Sequence, residues 1–586
     1  MPPGGARGRP VLAGLLRAFL RPYSRQSGLV VVLLAVQAAG NLYLPDLNAD
    51  IIDHGVVDGD VGHILRAGGL MLGIVLALGG VSIATVYVAA RVSMGAGADL
   101  RAAVYTRVRS FSAGEMDRFG VPSLITRNVN DVQQVQLFLM SLPVLVVAVI
   151  MSAGAVVMAV RESARLSLLL AVTVPVLALV VGVLLAVLVP LARSVQDRYD
   201  GMTLMLREQI TGVRVIRAFV RTDAERDRFE EANAGMTATM LRANRIFAMT
   251  MPAVLIIANL SSVAVIWFGG RLVDGGAMPV GNLTAFLVYI LQILVYALTA
   301  VTVVVLLPRA VAGAERIQEV LSTVPAIRDP ARPVVPDRVT GAVEFRGVAF
   351  GYPGGERPVL TDLTFELRPG RVSAIIGGTG SGKTTLINLI PRFFDATAGT
   401  VLVDGTDVRE QEAEALWAGI GLVPQTSFLF GGTVAGNLRF GMPDATDERL
   451  WRALDVAQAR DFVAALPGGL DAPVDQGGTN LSGGQRQRLS IARALVRRPR
   501  LYLFDDCFSA LDTGTDARLR AALRAETRDA AVVIAAQRVS TIMHADQIIV
   551  LDGGAVAGIG THRRLLAGCE PYREIVASQL GAEAVR

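Results

Sequence analysis

Lysine is almost missing from this chain: of 56 Lys+Arg residues in 586, a single one, Lys383, is lysine. Charged residues of all kinds reach only 18%, where soluble domains carry about 25%. Two cysteines, Cys507 and Cys569, are too few for a disulfide scaffold. Low charge together with 52% hydrophobic residues excludes intrinsic disorder and collagen-like repetition. A mean hydropathy of +0.48 places part of the chain in something other than water. At roughly 150 residues per domain, the length excludes one small domain. The composition is that of a membrane protein with a soluble part. An arginine-rich, lysine-poor balance is what a GC-rich bacterial genome produces, so the one retained lysine needs a local reason.

What the chain has in abundance is apolar length. Six stretches, near 28–49, 67–90, 136–160, 166–190, 246–269 and 282–308, can each cross a hydrocarbon core of roughly 30 Å. The first is too long for a cleavable signal peptide, and five more follow it. The connections alternate in charge. Between the first two spans lie Asp50, Asp53, Asp58 and Asp60, with no Lys or Arg before Arg66. The long segments after spans two and four are rich in arginine, among them Arg101, Arg107, Arg118, Arg207, Arg214 and Arg221, and Arg17, Arg21 and Arg25 precede span one. The positive-inside rule puts the N-terminus and both long segments in the cytoplasm, against only Arg161 and Arg165 in an outer turn. Topology accounts for the net charge of +5, and no nucleic acid is expected as a partner.

Few Gly or Pro interrupt 91–110 and 192–244, so helix is expected to continue beyond the bilayer, broken near Gly120–Pro122 and near Gly212. Val11, Leu12, Leu15, Leu16 and Phe19 share one side of 10–24, which suits an amphipathic helix on the inner leaflet. Gln37, Asn41, Asp46, Asn259 and Gln292 are the polar exceptions within the spans. Hydrogen bonding between helices is the ordinary account of each, and a substrate pathway the other. The lack of buried charge pairs favours amphipathic or apolar cargo over a small ion. His54 and His63 share the acidic outer loop, which reads as a solvated loop before it reads as a metal site.

A linker with Pro325, Pro330, Pro333 and Pro336 leads into an α/β half. There a strand-like run, 371–376, is followed by Gly377-Gly378-Thr379-Gly380-Ser381-Gly382-Lys383-Thr384, which fits G-x-x-x-x-G-K-[ST]. The glycines let backbone N–H groups turn toward phosphate oxygens, and the next helix adds its positive end. Here is the local reason for the lysine: its ammonium reaches the β- and γ-phosphates, while the Thr384 hydroxyl takes a place on Mg²⁺. ATP and Mg²⁺ are the expected cofactors. The apolar run 501–504 ends in Asp505 and Asp506, and an acidic residue at such a strand end holds Mg²⁺.

Between these, Leu481-Ser482-Gly483-Gly484-Gln485 resembles the signature of ATP-binding cassettes. Tyr352 is similar to the aromatic that stacks on adenine, Gln425 to the Q-loop glutamine, and Ser509-Ala-Leu-Asp512 to the D-loop. Phe119-Gly-Val-Pro, Ile125–Asp131 and Gly212–Phe219 resemble the family's two intracellular loops. Over nearly its whole length the chain resembles ABC exporter half-transporters. The resemblance implies an all-α six-helix transmembrane domain followed by an α/β P-loop cassette domain. The expected boundaries are 1–27 for a tail with an amphipathic elbow helix, 28–322 for the spans, 323–340 for the linker and 341–586 for the cassette. The resemblance also implies ATP bound by Tyr352, Gly377, Gly378, Thr379, Gly380, Ser381, Gly382, Lys383, Thr384, Thr385 and Gln425. Mg²⁺ would be held by Thr384, Gln425 and Asp505, and Asp506, Gln537 and Gln425 would form the hydrolytic set. Ser482, Gly483, Gly484 and Gln485 would contact ATP in a partner's site, and Asp512 belongs to the D-loop.

Two positions depart from the family pattern. Asp506 stands where the family usually has a glutamate that activates water, and Gln537 where it usually has histidine. Asp475-Gln476 is a milder departure, where Gly-Glu is commoner. Neutral drift in a working enzyme is one account; the weakly hydrolysing half of a heterodimeric exporter is the other, and it leaves the signature intact. The expected protein is therefore an ATPase-driven transporter in a bacterial plasma (inner) membrane, with its N-terminus and ATP-binding domain cytoplasmic. Its expected partners are the lipid bilayer, a second half-transporter in a heterodimer rather than a homodimer, and an amphipathic small molecule, lipid or peptide as cargo. A slow homodimeric exporter, an importer on the same fold and an ATP-gated channel-like protein are the alternatives; a pore would need a ring of charge through the spans, which is missing.

Overall fold

Apolar runs inside a bilayer must satisfy their backbone internally, and helix is the local way to do so. In the computed structural model, which describes residues 8–336 and 338–581, six helices are long and apolar enough to cross a membrane. The first seven residues of the expected tail, position 337 of the linker and 582–586 at the end of the cassette lie outside the described residues.

Helix α1 (Gly8–Leu20) buries Leu12 and Leu15, as its one-sided pattern requires. Span one, α2 (Ser24–Asp50), passes into a π-helical turn, Ile51–Val57, and α3 (Val61–Arg109) follows. After α4 (Ala113–Phe119) and α5 (Val121–Thr126) come α6 (Val132–Glu162), α7 (Leu170–Thr211), α8 (Val213–Ala218), α9 (Thr222–Asp274) and α10 (Val280–Ser322). At 1.5 Å per residue α9 is about 80 Å long, well over the roughly 30 Å of hydrocarbon. The expected breaks are present: Gly120 closes α4 with a left-handed φ of +73°, and Gly212 closes α7. Asn41 Nδ2 donates to the Gln37 carbonyl at 2.9 Å, so this polar exception is satisfied within its own helix.

The described chain divides into two compact units. One holds the residues up to Arg109 with Pro122–Thr323; the other holds Ser110–Val121 with the residues from Val324 onward. In the first, α10 packs along α6 and α7 along α9, and Phe286, Tyr289 and Ile290 of α10 are fully buried. Residues such as Leu76 and Ile83 face outward, as lipid-facing positions must.

The second unit is α/β. Its strands are β1 (Val343–Phe350), β2 (Leu360–Leu367), β3 (Val372–Gly377), β4 (Ala398–Val403), β5 (Thr406–Asp407), β6 (Ile420–Val423), β7 (Gly432–Thr433), β8 (Pro473–Val474), β9 (Leu501–Asp505), β10 (Ala531–Ala535), β11 (Gln547–Asp552) and β12 (Ala555–Gly560). Helix α11 (Lys383–Leu389) follows β3, and α12 (Ala413–Ala418), α13 (Val434–Arg439), α14 (Asp447–Val456), α15 (Arg460–Ala465) and α16 (Gly483–Arg497) precede β9. The remaining helices are α17 (Thr513–Glu526), α18 (Val539–Ile542), α19 (His562–Gly568) and α20 (Glu570–Leu580). One sheet runs β2-β1-β4-β5 and is antiparallel; a second runs β12-β11-β3-β10-β9-β6 and is parallel except at β12; β7 and β8 pair antiparallel by themselves. Buried on both faces, the central strands read as continuous apolar runs, such as Leu501–Phe504.

Candidate functional site

Four neighbouring parallel strands end on the same side of the second sheet. Registers Ala535↔Ile375, Ala535↔Asp505 and Val423↔Phe504 align the carboxyl ends of β3, β10, β9 and β6. The segments that leave them carry the phosphate loop, Gln537, Asp506 and Gln425. Residues more than 150 positions apart thus meet at one crevice, where an open parallel sheet places its ligands.

The phosphate loop turns on left-handed glycines, Gly380 at φ +82° and Gly382 at φ +96°. At Gly382 a Cβ would lie 2.5 Å from Leu360 Cδ2, so the helix start can approach β2 only without a side chain. Gly378, Thr379 and Gly380 are exposed, while Gly377 and Ser381 are buried beneath them. Lys383 is buried, and its Nζ donates to the carbonyls of Gly377 at 2.9 Å and Gly378 at 2.8 Å and to Ser381 Oγ at 3.4 Å. Burial pulls the ammonium below its ordinary value, and the carboxylates of Asp506 and Asp505 oppose that.

Thr384 Oγ1 donates to Asp505 Oδ1 at 3.1 Å. Hydroxyl and carboxylate oxygens brought together in this way are the donor chemistry Mg²⁺ takes. Burial raises the Asp505 carboxyl above its usual range, with the Thr384 hydrogen bond working against it. Asp506 also has a left-handed φ, +45°, and its backbone is fixed from both ends: its N–H donates to Ala535 O at 2.9 Å, and its carbonyl accepts from Ser509 Oγ at 2.8 Å. Burial raises its carboxyl too, opposed by the backbone N–H of Gln537, the charge of Lys383 and a side-chain hydrogen bond with Gln425. Asp506, Gln425 and Gln537 are therefore one hydrogen-bonded group, although the side chain of Gln537 is exposed.

Tyr352 leaves β1 at the edge of this group. Its hydroxyl lies 3.0 Å from Thr385 Oγ1, its ring is nearly perpendicular to those of Phe350 and Phe394, and the residue is partly exposed. The signature residues lie elsewhere in the unit: no hydrogen bond joins 482–485 to the phosphate loop among the described residues. Ser482 caps α16 in a two-way box, its Oγ accepting from Gln485 N at 3.3 Å and its N–H donating to Gln485 Oε1 at 2.8 Å. Ser482 and Gly483 are exposed, and Gly484 packs against the Ala510 carbonyl of the D-loop. Asp512 caps α17 by accepting from Thr515 N at 2.9 Å. Cys507 is fully buried behind the Asp pair, in the core.

One residue had no sequence signal. Gln579 of α20 donates from Nε2 to the Gln537 carbonyl at 2.7 Å and accepts at Oε1 from Val539 N at 2.8 Å. A plain amide on an amphipathic helix does not advertise such a contact across 42 residues.

Two family models match the chain, the ABC transporter transmembrane region over 27–298 and ABC transporter over 360–509. An uncharacterized ABC transporter ATP-binding protein of Mycobacterium tuberculosis is 48% identical over 575 residues, 97% of this chain and 98% of the relative. The chain belongs to the ABC transporter family. This ABC transporter is also 32% identical over 577 residues to an ATP-dependent lipid A-core flippase of Thiobacillus denitrificans, across 97% of the one and 98% of the other. Among solved structures, a bacterial Atm1-family ABC exporter with ATP bound matches it with a TM-score of 0.80 at 25% identity, over 95% of this chain and 99% of that one. This ABC transporter is thus a multi-pass membrane protein of exporter-type architecture, and its cassette is that of an ATPase coupled to transport.

Proposed function

We propose that this ABC transporter exports an amphipathic or hydrophobic substrate across a bacterial plasma membrane as one half of a heterodimer. Its own phosphate-loop site holds ATP and hydrolyses it slowly, and its signature completes a faster site on the partner. The arginine-rich segments support a cytoplasmic N-terminus and cassette. The name of the 32% identical lipid A-core flippase supports an amphipathic cargo.

The observation that carries this reading is the Asp506–Gln425–Gln537 group. Asp is one methylene shorter than Glu, and a misplacement of about 1 Å can cost roughly 100-fold in rate. With Asp506 tied at both ends of its backbone, the carboxylate has little room to advance toward an attacking water. Gln537 donates a hydrogen bond but carries no charge and relays no proton. Binding is unimpaired by either change: Lys383 exchanges its carbonyl partners for phosphate oxygens, the glycine loop wraps the phosphates, and Tyr352 offers its face to adenine. Thr384 and Asp505, with Gln425, would hold Mg²⁺, which when bound would neutralise charge on the β- and γ-phosphates. The α16 N-terminus, with Ser482 exposed, suits phosphate on a second chain. ATP binding then favours the closed cassette pair, and its differential affinity for that state drives alternating access.

The test compares this chain alone with the same chain co-expressed with a six-span cassette protein from a neighbouring gene that retains Glu and His. Low ATPase alone and a one-to-one complex that turns over are expected. In that complex Asp506→Ala should change steady-state ATPase little, and Ser482→Arg should cripple it. Brisk hydrolysis by a homodimer, or the reverse ranking of the two variants, overturns the reading.

A further inference from the structure

The hairpin joining the first two spans gathers three side chains that the ATP cycle does not use. Asp50 is the last residue of α2, His54 lies one turn further on in the π-helical turn, and His63 stands in the first turn of α3. Asp50 Oδ1 is 3.0 Å from His54 Nδ1, and Asp50 Oδ2 is 2.9 Å from His63 Nε2. The three side chains offer donor atoms that all lie within 4.8 Å of one another.

Two other aspartates of the loop, Asp53 and Asp60, hold this cluster from outside it. Asp53 Oδ1 accepts from Gly281 N on α10 at 2.7 Å, which anchors the π turn carrying His54. Gly281 allows that approach because a Cβ there would collide with the Ala49 carbonyl and with Asp53 itself. Asp60 Oδ1 accepts from the backbone N–H of His63 at 3.0 Å and sets the first turn of α3. Two imidazoles thus converge on one carboxylate from separately anchored pieces of backbone, and π turns of this kind are frequent where a helix serves a site.

We propose that Asp50, His54 and His63 bind a divalent transition-metal ion of the zinc type. Two imidazole nitrogens and a carboxylate oxygen are the donors such an ion takes, with bonds of about 2.0–2.2 Å, whereas Mg²⁺ and Ca²⁺ take oxygen. Tetrahedral geometry with those bonds sets donors roughly 3.4 Å apart. The two imidazole nitrogens lie 3.0 and 2.9 Å from different oxygens of the Asp50 carboxylate, and one donor atom from each residue falls within 4.8 Å of the others, so side-chain rotation brings the three to that spacing. For binding, His54 Nδ1 and His63 Nε2 must present lone pairs, so each ring carries its proton on its other nitrogen. Three protein donors leave a fourth position for water. The bound ion ties the end of α2 to the start of α3, on the side that the charge asymmetry places outside the cell.

The full chain, purified in detergent without a histidine tag and freed of metal, is titrated with Zn²⁺ by calorimetry in excess Mg²⁺. One Zn²⁺ per chain is expected, with a micromolar Kd and a rise in Tm on saturation. His54→Ala, His63→Ala and Asp50→Asn should each weaken binding by roughly tenfold or more, with ATPase rate and elution volume as in the parent. Should these variants fail to fold, Co²⁺ bound to the parent decides the matter: tetrahedral d–d absorption, discharged by one equivalent of Zn²⁺, is expected. No one-to-one binding tighter than about 100 µM, binding that survives both histidine variants, or a parent without that absorption overturns the proposal and leaves Asp50 as a bridge between two imidazoles.

Discussion

Gln579 holds the backbone on both sides of Arg538: its amide donates to the Gln537 carbonyl at 2.7 Å and accepts from Val539 N at 2.8 Å. The loop that leaves β10 is therefore positioned by the C-terminal helix α20. Gln537 in turn gives its N–H to the Asp506 carboxylate, so the clamp reaches Asp506 through one backbone link.

Gln579→Ala frees that loop without touching the phosphate loop. In the chain purified alone, where its own site is what is read, ATP affinity should stay within about twofold, while kcat falls by roughly three- to tenfold, a fraction of the cost of a full 1 Å misplacement. Nucleotide titration beside steady-state hydrolysis separates the two. Equal loss in both would mean that α20 supports the whole cassette rather than this loop.

Restoring the longer acid and the titratable ring should raise hydrolysis at this chain's own site. Asp506→Glu combined with Gln537→His is expected to increase single-site turnover by at least about tenfold, since a positioned acid–base group contributes roughly 10²–10⁴. The readout is phosphate release from the chain purified alone. No gain would show that Asp506 already suffices.

Asp505 is buried at the carboxyl end of β9. Its folded carboxyl titrates above the unfolded value because it is buried, so the ionised form costs stability at neutral pH, and that cost disappears as pH falls through the raised value. Asp505→Asn should therefore raise the Tm of the cassette at pH 7, by roughly 2–4 °C for each kcal/mol relieved, and abolish Mg²⁺-dependent hydrolysis. Thermal unfolding at pH 7 and at pH 5 checks the sign, because the gain of the variant must shrink at the lower pH.

In the membrane unit, Arg316 of α10 makes a two-pronged pair with Asp131, with Nε 2.7 Å from Oδ2. Asp131 is buried, at 2% exposure, and Arg127 beside it pairs with Glu319 at 2.7 Å. Arg316→Met strands a buried carboxylate and, with the Arg316 side chain half exposed, should cost about 1–3 kcal/mol, read as a fall in Tm in detergent. Adding Asp131→Asn should recover most of that loss, because the uncompensated charge is then gone.

Much of this was legible in the chain because it is local. The six spans follow from uninterrupted apolar length, and Gly120 and Gly212 mark the breaks because no other residue ends a helix so readily. Lys383 stands out as the only lysine, inside a contiguous loop whose Gly380 and Gly382 take a left-handed φ. Glu115 shows the limit. Its S-x-x-E box with Ser112 is a local pattern, with Ser112 N donating to Oε2 at 2.8 Å, but its other oxygen accepts from Ala326 N, 211 residues away. Gln579 escaped for the same reason, since nothing in α20 names its partner.

The sequence by itself determined the class of protein, the number of spans and the phosphate-loop motif, because apolar length and contiguous motifs act through neighbours in the chain. Tertiary structure alone decided what those residues touch. The parallel register of β3, β10, β9 and β6 aligns four strand ends distant in sequence, and only that alignment makes Asp506, Gln425 and Gln537 one hydrogen-bonded group. Likewise the three donors of the outer hairpin were visible as residue types, but distances near 3 Å between them come from anchors on α10 and α3, which no local pattern specifies.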